Sequence, residues 1–154
     1  MLSSMSLPHA SSSLELGRLV AACDAAIARV AAKNGDPFAE LGEALFWLYA
    51  LAEATGEARD ARYRGLAWAR NKIGHGVMVT APVQLRTFGS EPGMAVPGLS
   101  MPGTVSKPAM WLHTSEIPLG PHNRPTPDDE KAYEDNVAGR PVLEVLRDAR
   151  SNLS

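Results

Sequence analysis

Between residues 12 and 35 apolar positions recur at spacings of three and four. Leu16, Leu19, Val20, Cys23, Ala26, Ile27 and Val30 fall on one stripe, which predicts an amphipathic helix. Ser12 followed by Glu15 has the form of a reciprocal capping box and sets the expected start. Gly35, in Asn34-Gly35, can take the left-handed conformation that ends a helix without a Cβ penalty. Asp36-Pro37 restarts the chain with a capping side chain and a proline suited to the first helical position. The second helix, about 37–55, carries Phe38, Leu41, Leu45, Phe46, Trp47, Leu48, Tyr49 and Leu51. These residues cover more than one face, so the helix is expected at the centre of a bundle or in a subunit interface. Glu43 lies within this apolar zone, either as an exposed helix acid or as the partner of a cation.

Gly56 breaks the pattern, and a third helix is expected from about Glu57 to the region of His75. Arg64, Trp68, Asn71 and His75 share one of its faces; Leu66, Arg70, Ile73 and Val77 share another. Gly65, Ala69 and Gly76 make a line of small residues that a neighbouring helix backbone could approach. Trp68 reads first as a packing residue and second as a platform for a stacked base. Beyond Gly76 the pattern changes. From Pro82 to Pro127 there are nine prolines, with glycines at 89, 93, 98, 103 and 120, so no long helix fits. The stretch is nevertheless too apolar for a solvated linker. It is expected to wrap over the bundle, with short strands near 83–88 and 109–117, the best of them at Trp111-Leu112-His113. Thr126-Pro127-Asp128-Asp129 opens a short helix to Val137, ending at Gly139. Pro141 opens a last helix to about Leu153, with Val142, Val145, Leu146 and Ala149 facing inward.

Composition narrows the classes. The chain has 154 residues, 45% of them hydrophobic and 21% charged, which fits one globular unit with a core. The longest mostly apolar run, Ala44 to Ala52, is far short of the roughly 20 residues of a membrane-spanning helix. Residues 1–11 are Ser-rich, show no signal-peptide pattern and are expected to be disordered, which suits a cytoplasmic protein. The single cysteine, Cys23, forms no intramolecular disulfide and builds no zinc cluster. The histidines stand at 9, 75, 113 and 122, too scattered to suggest a metal site, and no cofactor motif is present; neither metal nor cofactor is expected. A net charge of −2 argues against a protein that coats nucleic acid through a broad basic surface. Positive charge is local instead. Arg59, Arg62, Arg64, Arg70 and Lys72 fall in one stretch with Asp60 as its one acid.

That stretch ends in Arg70-Asn71-Lys72-Ile73-Gly74-His75, where a fixed cation and a side chain able to act as a base come close in sequence. Histidine can exchange a proton near neutral pH, and arginine offers a planar fork that matches phosphate oxygens. At about 100° per residue, Asn71 and His75 share a face while Arg70 lies about 140° from His75. Arg70 and His75 therefore meet only at a cleft that both reach, or across a seam between two copies of the helix.

As R-N-K-I-G-H, with a polar residue after the arginine, the stretch resembles the R-x4-H motif of HEPN-superfamily ribonucleases, and the resemblance extends over roughly residues 13–80. It implies a helical bundle at 12–80; the irregular Pro/Gly-rich segment at 81–126 with its short strands is not part of a minimal HEPN bundle, and with the C-terminal helices at 127–153 the expected fold is mainly α, in one domain. The resemblance further implies a metal-independent RNA endonuclease in which His75 is the base, Arg70 stabilises the phosphate and Asn71 orients one of them. The products would be a 2′,3′-cyclic phosphate and a 5′-hydroxyl. Arg64 and Lys72 are the expected additional RNA contacts. The implied partners are an RNA substrate and a second copy of the chain, in a homodimer built on the second and third helices; a toxin or antiphage role with a neutralising partner protein is also compatible. The alternative is a non-catalytic helical module for dimerisation or protein interaction, in which Arg70 and His75 make structural contacts.

Overall fold

In the computed structural model of the chain, residues 13–81, 84–87, 104–118 and 127–153 are described. Five helices make up most of them: α1 (Ser13–Ala32), α2 (Pro37–Thr55), α3 (Ala61–Gly74), α4 (Pro127–Asn136) and α5 (Val142–Ser151). Four short strands lie between α3 and α4: β1 (Thr80–Ala81), β2 (Gln84–Thr87), β3 (Thr104–Lys107) and β4 (Met110–Trp111). The fold is mainly α, a helical bundle, as the periodicity predicts.

Local chemistry sets most helix ends. The Asp36 side chain accepts from the Phe38 N–H at 3.1 Å, Pro37 fills the first position of α2, and Gly56 closes the helix at φ 83°. Two expected ends move. The left-handed residue after α1 is Lys33, at φ 55°, and not Gly35. α3 begins at Ala61 and not near Glu57, because the chain first makes tight turns after α2. Glu57 and Ala58 both donate back to the Ala52 carbonyl, and Asp60 then caps α3 by accepting from the Arg62 N–H at 2.9 Å. The expected capping residue Ser12 and the disordered segment 1–11 lie outside the described residues, as do 88–103 and 119–126.

α2 packs against α1, α3 and α5, so it occupies the centre of the bundle. Leu41, Ala44, Leu45, Leu48, Leu51 and Ala52 are buried on it, while Phe46 remains exposed. Glu43 is paired with Arg29 of α1. α4 lies against α3, and the reason is Gly65. A Cβ there would stand 2.9 Å from both the Ala132 carbonyl oxygen and the Tyr133 Cα, so the close approach admits glycine alone. The small-residue line foreseen on α3 thus meets another helix backbone at Gly65.

The strands tie the Pro/Gly-rich segment to this core. β1 pairs antiparallel with β4 (Thr80 with Trp111, Ala81 with Met110), and β2 pairs with β3 in the same register (Gln84 with Lys107, Thr87 with Thr104). The strand foreseen at 111–113 stops at Trp111, because His113 turns the chain into a single 3-10 turn, Thr114–Glu116. Trp111 is fully buried; its N–H donates to Arg140 O, and its carbonyl accepts from Gly139. Tyr133 sits between two indoles, 4.5 Å from Trp68 and 6.3 Å from Trp111, and donates its hydroxyl proton to Leu112 O at 2.7 Å. Burying each large side chain of this kind contributes about 1.5–3 kcal/mol. α5 closes the other side with Val142, Val145, Leu146 and Ala149, all buried, and Tyr63 of α3 donates to Ala149 O at 2.9 Å.

Candidate functional site

α3 packs against α4 and α2 and leaves its remaining strip outward. Tyr63, Gly65, Leu66, Trp68, Ala69, Lys72 and Ile73 are buried, whereas Asn71, Gly74 and His75 are exposed and Ala67 and Arg70 are half-buried. On the helical wheel Arg70 and His75 stand on either side of an outward strip made by Ala67, Asn71 and Gly74. His75 is the C-terminal cap of α3, with its backbone N–H directed to the Asn71 and Lys72 carbonyls and its side chain in solvent.

Arg70 is held by an aromatic ring. Its guanidinium carbon lies 4.3 Å from the centroid of Tyr49 on α2. The approach of the two helices makes this contact. A Cβ on Gly42 would be 3.3 Å from Ile73 Cγ2, so α2 and α3 run close together at that level. Tyr49 is two turns, about 10 Å, along α2 from Gly42, while Arg70 is about 4.5 Å along the antiparallel α3 from Ile73. To reach Tyr49, the Arg70 side chain extends toward the N-terminus of α3, the direction in which helical side chains lean. It thus points away from His75, which caps the opposite end. Within one chain the two groups diverge.

The other sequence-singled cations are differently placed. Arg64 donates through Nε and a terminal nitrogen to one oxygen of Asp129, at 2.9 and 2.7 Å, and joins α3 to α4. Lys72, expected at an RNA surface, is buried, with 1% of its surface exposed. Its Nζ lies 4.9 Å from the Trp68 ring centroid and has no hydrogen-bond partner among the described residues. It falls on the α4 side of the helix, about 100° from Asn71, and its placement rules out direct contact with a nucleic acid on the outward strip. Trp68 is likewise a packing residue, stacked on Tyr133 and closed to a base.

Two features of the structure are missing from the sequence reading. Tyr49 was legible only as part of the apolar surface of α2. His113 and Glu134 form a pair at 2.6 Å, and Glu134 also accepts from the Thr114 N–H at 2.9 Å. The hydrogen bond to Glu134 pushes His113 above the ordinary histidine range; the Thr114 N–H, and after it His113, draw Glu134 below the ordinary carboxylate range. An open depression beside this pair is lined by Thr114, Glu130, Lys131, Glu134 and Asp135, and another by Glu15, Arg18, Leu19, Ala22 and Trp47. Neither is lined by Arg70 or His75. No group of three metal-ligating side chains occurs among the described residues, and no helix among them is long and apolar enough to cross a membrane.

What the outward strip can do chemically is limited and specific. It offers an imidazole in solvent, a carboxamide, and a guanidinium whose carbon lies over the Tyr49 ring and whose N–H groups have no hydrogen-bond or ion-pair partner among the described residues. That set suits recognition of a phosphate and exchange of a proton beside it. Comparison of the chain with family models, with curated proteins and with solved structures finds no match.

Proposed function

We propose that the chain is a metal-independent RNA endonuclease that works as a two-fold dimer, with Arg70 of one copy and His75 of the other acting on one phosphodiester. The observation that carries this reading is the state of Arg70. Arg29, Arg64, Arg140 and Arg150 are engaged by carboxylates, and Arg18, Arg59 and Arg147 have no ion pair among the described residues; Arg70 stands on the outward strip of α3, held over the Tyr49 ring with no carboxylate partner among the described residues. The resemblance of R-N-K-I-G-H to the HEPN ribonuclease motif supplies the reaction class.

The divergence of Arg70 and His75 within a chain argues for two copies. If two α3 helices pack antiparallel about an axis near Asn71, the N-terminal direction of one is the C-terminal direction of the other. The guanidinium of each copy then lies toward the His75 of its partner. Small residues at 67 and 74 let the helices approach, and the exposed Phe46 on α2 adds apolar area to the seam. In such a cleft His75 takes the proton of the ribose 2′-hydroxyl, the 2′-oxygen attacks the phosphorus, and the 5′-oxygen leaves with the proton that His75 gives back. The bond formed closes a 2′,3′-cyclic phosphate and the bond broken releases a 5′-hydroxyl. Arg70 donates to the non-bridging oxygens as charge builds on them. The reading places the protein in the cytoplasm with RNA, and a toxin or antiphage role with a neutralising partner protein is in keeping with it.

A second reading draws on the exposed Phe46, which packs edge-on against Trp47 at 5.0 Å. An aromatic pair on the central helix also suits a non-catalytic docking face, with Arg70 and Tyr49 as a structural contact. The test is incubation of purified protein with a mixed RNA pool in EDTA. The nuclease reading expects fragments ending in cyclic phosphate. Intact RNA leaves the docking module as the function.

A further inference from the structure

We infer that Tyr49 is the positioning residue for Arg70, holding the guanidinium over its ring with no carboxylate among the described residues on the N–H donors, so that these stay open to a phosphodiester; this rests on the nuclease reading above. A guanidinium has two surfaces to offer. Its edge carries five N–H donors in a fixed fork, and its planar face stacks on aromatic rings. A carboxylate orients an arginine by occupying the edge, which is how Glu43 holds Arg29, Asp129 holds Arg64 and Asp24 holds Arg150. Each of these arginines has committed its Nε and one terminal nitrogen, one side of the fork that would read a phosphate. At Arg70 the neighbour is an aromatic ring instead of a carboxylate, with the guanidinium carbon 4.3 Å from the Tyr49 centroid. The arrangement lowers the freedom of a long side chain without consuming a donor, which is what a preorganised oxyanion ligand requires.

The fold gives Tyr49 no other evident polar task. It is half-buried on the α3 side of α2, and the close passage of Gly42 against Ile73 brings its ring to the level that the Arg70 side chain reaches. The phenolic oxygen is not needed for the contact, since the ring face carries it.

The experiment uses an uncleavable probe, a 2′-O-methyl RNA oligonucleotide, titrated against the full chain and read by fluorescence anisotropy. Tyr49→Leu should weaken binding about two- to fivefold, the range expected for a cation–π contact at a partly exposed site. Tyr49→Phe should bind as wild type, and Tyr49→Leu should have no effect once Arg70 is Ala. NMR supplies a readout independent of RNA: the Arg70 δ protons should be shifted upfield by the ring in wild type and Tyr49→Phe, and not in Tyr49→Leu. Wild-type affinity in Tyr49→Leu overturns the inference, and so does an equal loss with and without Arg70. If the Tyr49 effect passes through Arg70 but wild type leaves ordinary RNA uncut, the positioning role stands and the nuclease reading falls. Absence of any Arg70-dependent binding overturns both.

Discussion

The two sides of α3 differ in how they treat polar side chains. On the side facing α4 every demand of packing is met at the expense of polar groups. Lys72 is sealed over Trp68, the indole N–H groups of Trp68 and Trp111 have no acceptor among the described residues, and backbone approaches backbone at Gly65. On the outward side the reverse holds. Asn71 and His75 remain in solvent, and Arg70 lies over Tyr49 with no hydrogen-bond or ion-pair partner among the described residues. One helix thus contributes its hydrophobic stripe to the fold and leaves a polar strip outward, which the proposed function assigns to recognition. Substitutions on the two sides should therefore separate into losses of stability and losses of activity.

The largest effect is expected on the outward side. His75→Ala and Arg70→Ala should each lower RNA cleavage per folded molecule by roughly 10²- to 10⁴-fold, the usual cost of losing a positioned proton carrier or charge stabiliser. Melting temperatures should stay near wild type. Because the proposed site takes one residue from each copy, mixing the two inactive variants should restore about a quarter of wild-type activity through heterodimers with one intact site. Absence of rescue in a demonstrably mixed dimer would place both residues of a site in the same chain.

On the inner side, Gly65→Ala should reverse that profile. The added methyl meets the backbone of Ala132 and Tyr133, neither of which can swing away. Overpacking of this kind costs about 1–3 kcal/mol. Thermal denaturation should show the loss, with unchanged cleavage per folded molecule. Lys72→Met sharpens the contrast by its sign. It removes a buried amine without a hydrogen-bond partner, a relief of about 1–3 kcal/mol, against the loss of a contact with Trp68 of about 0.5–2 kcal/mol. The expected result is a protein more stable by about 1 kcal/mol that cleaves RNA as before. A variant that is stable but inactive would return Lys72 to the site.

How much of this was legible in the sequence follows from the range of each interaction. The ends of α2 were readable because Asp36, Pro37 and Gly56 act on neighbours a few residues away, and the stripe of α5 was readable because one helix face declares itself in its own spacing. The start of α3 was missed by four residues because turns between Gly56 and Asp60 fold back on Ala52. The burial of Lys72 had no local signal: what covers that face is α4, some sixty residues later, and Gly65 marked the approach without naming the partner. The same holds at the outward strip. Arg70, Asn71 and His75 were singled out by residue type and spacing. That Arg70 rests on Tyr49, and Lys72 on Trp68, depends on which side of α3 each neighbouring helix takes.

The smallest effect belongs to a third polar group, which is exposed like the outward strip yet paired like the core. His113 and Glu134 join the turn after β4 to α4, and each raises the other's preference for its charged form. The signs fix the pH window. His113 is raised from 6.5 in the folded protein, so its contribution is complete below about that pH and fades as pH rises through the folded value. Glu134 is lowered from 4.5, so its contribution is present above that pH and is lost as pH falls through its folded value. The pair therefore stabilises most between 4.5 and 6.5. The stability difference between wild type and His113→Gln should peak in that interval and shrink toward pH 8. Both side chains are well exposed, so added salt should reduce the difference throughout. The Thr114 N–H bond to Glu134 forms whatever stands at 113 and therefore cancels in this difference. A gap that widens as pH rises above 6.5 would mean that neutral His113 stabilises the fold through its packing against Gly139, where the ring already fills the space of a Cβ.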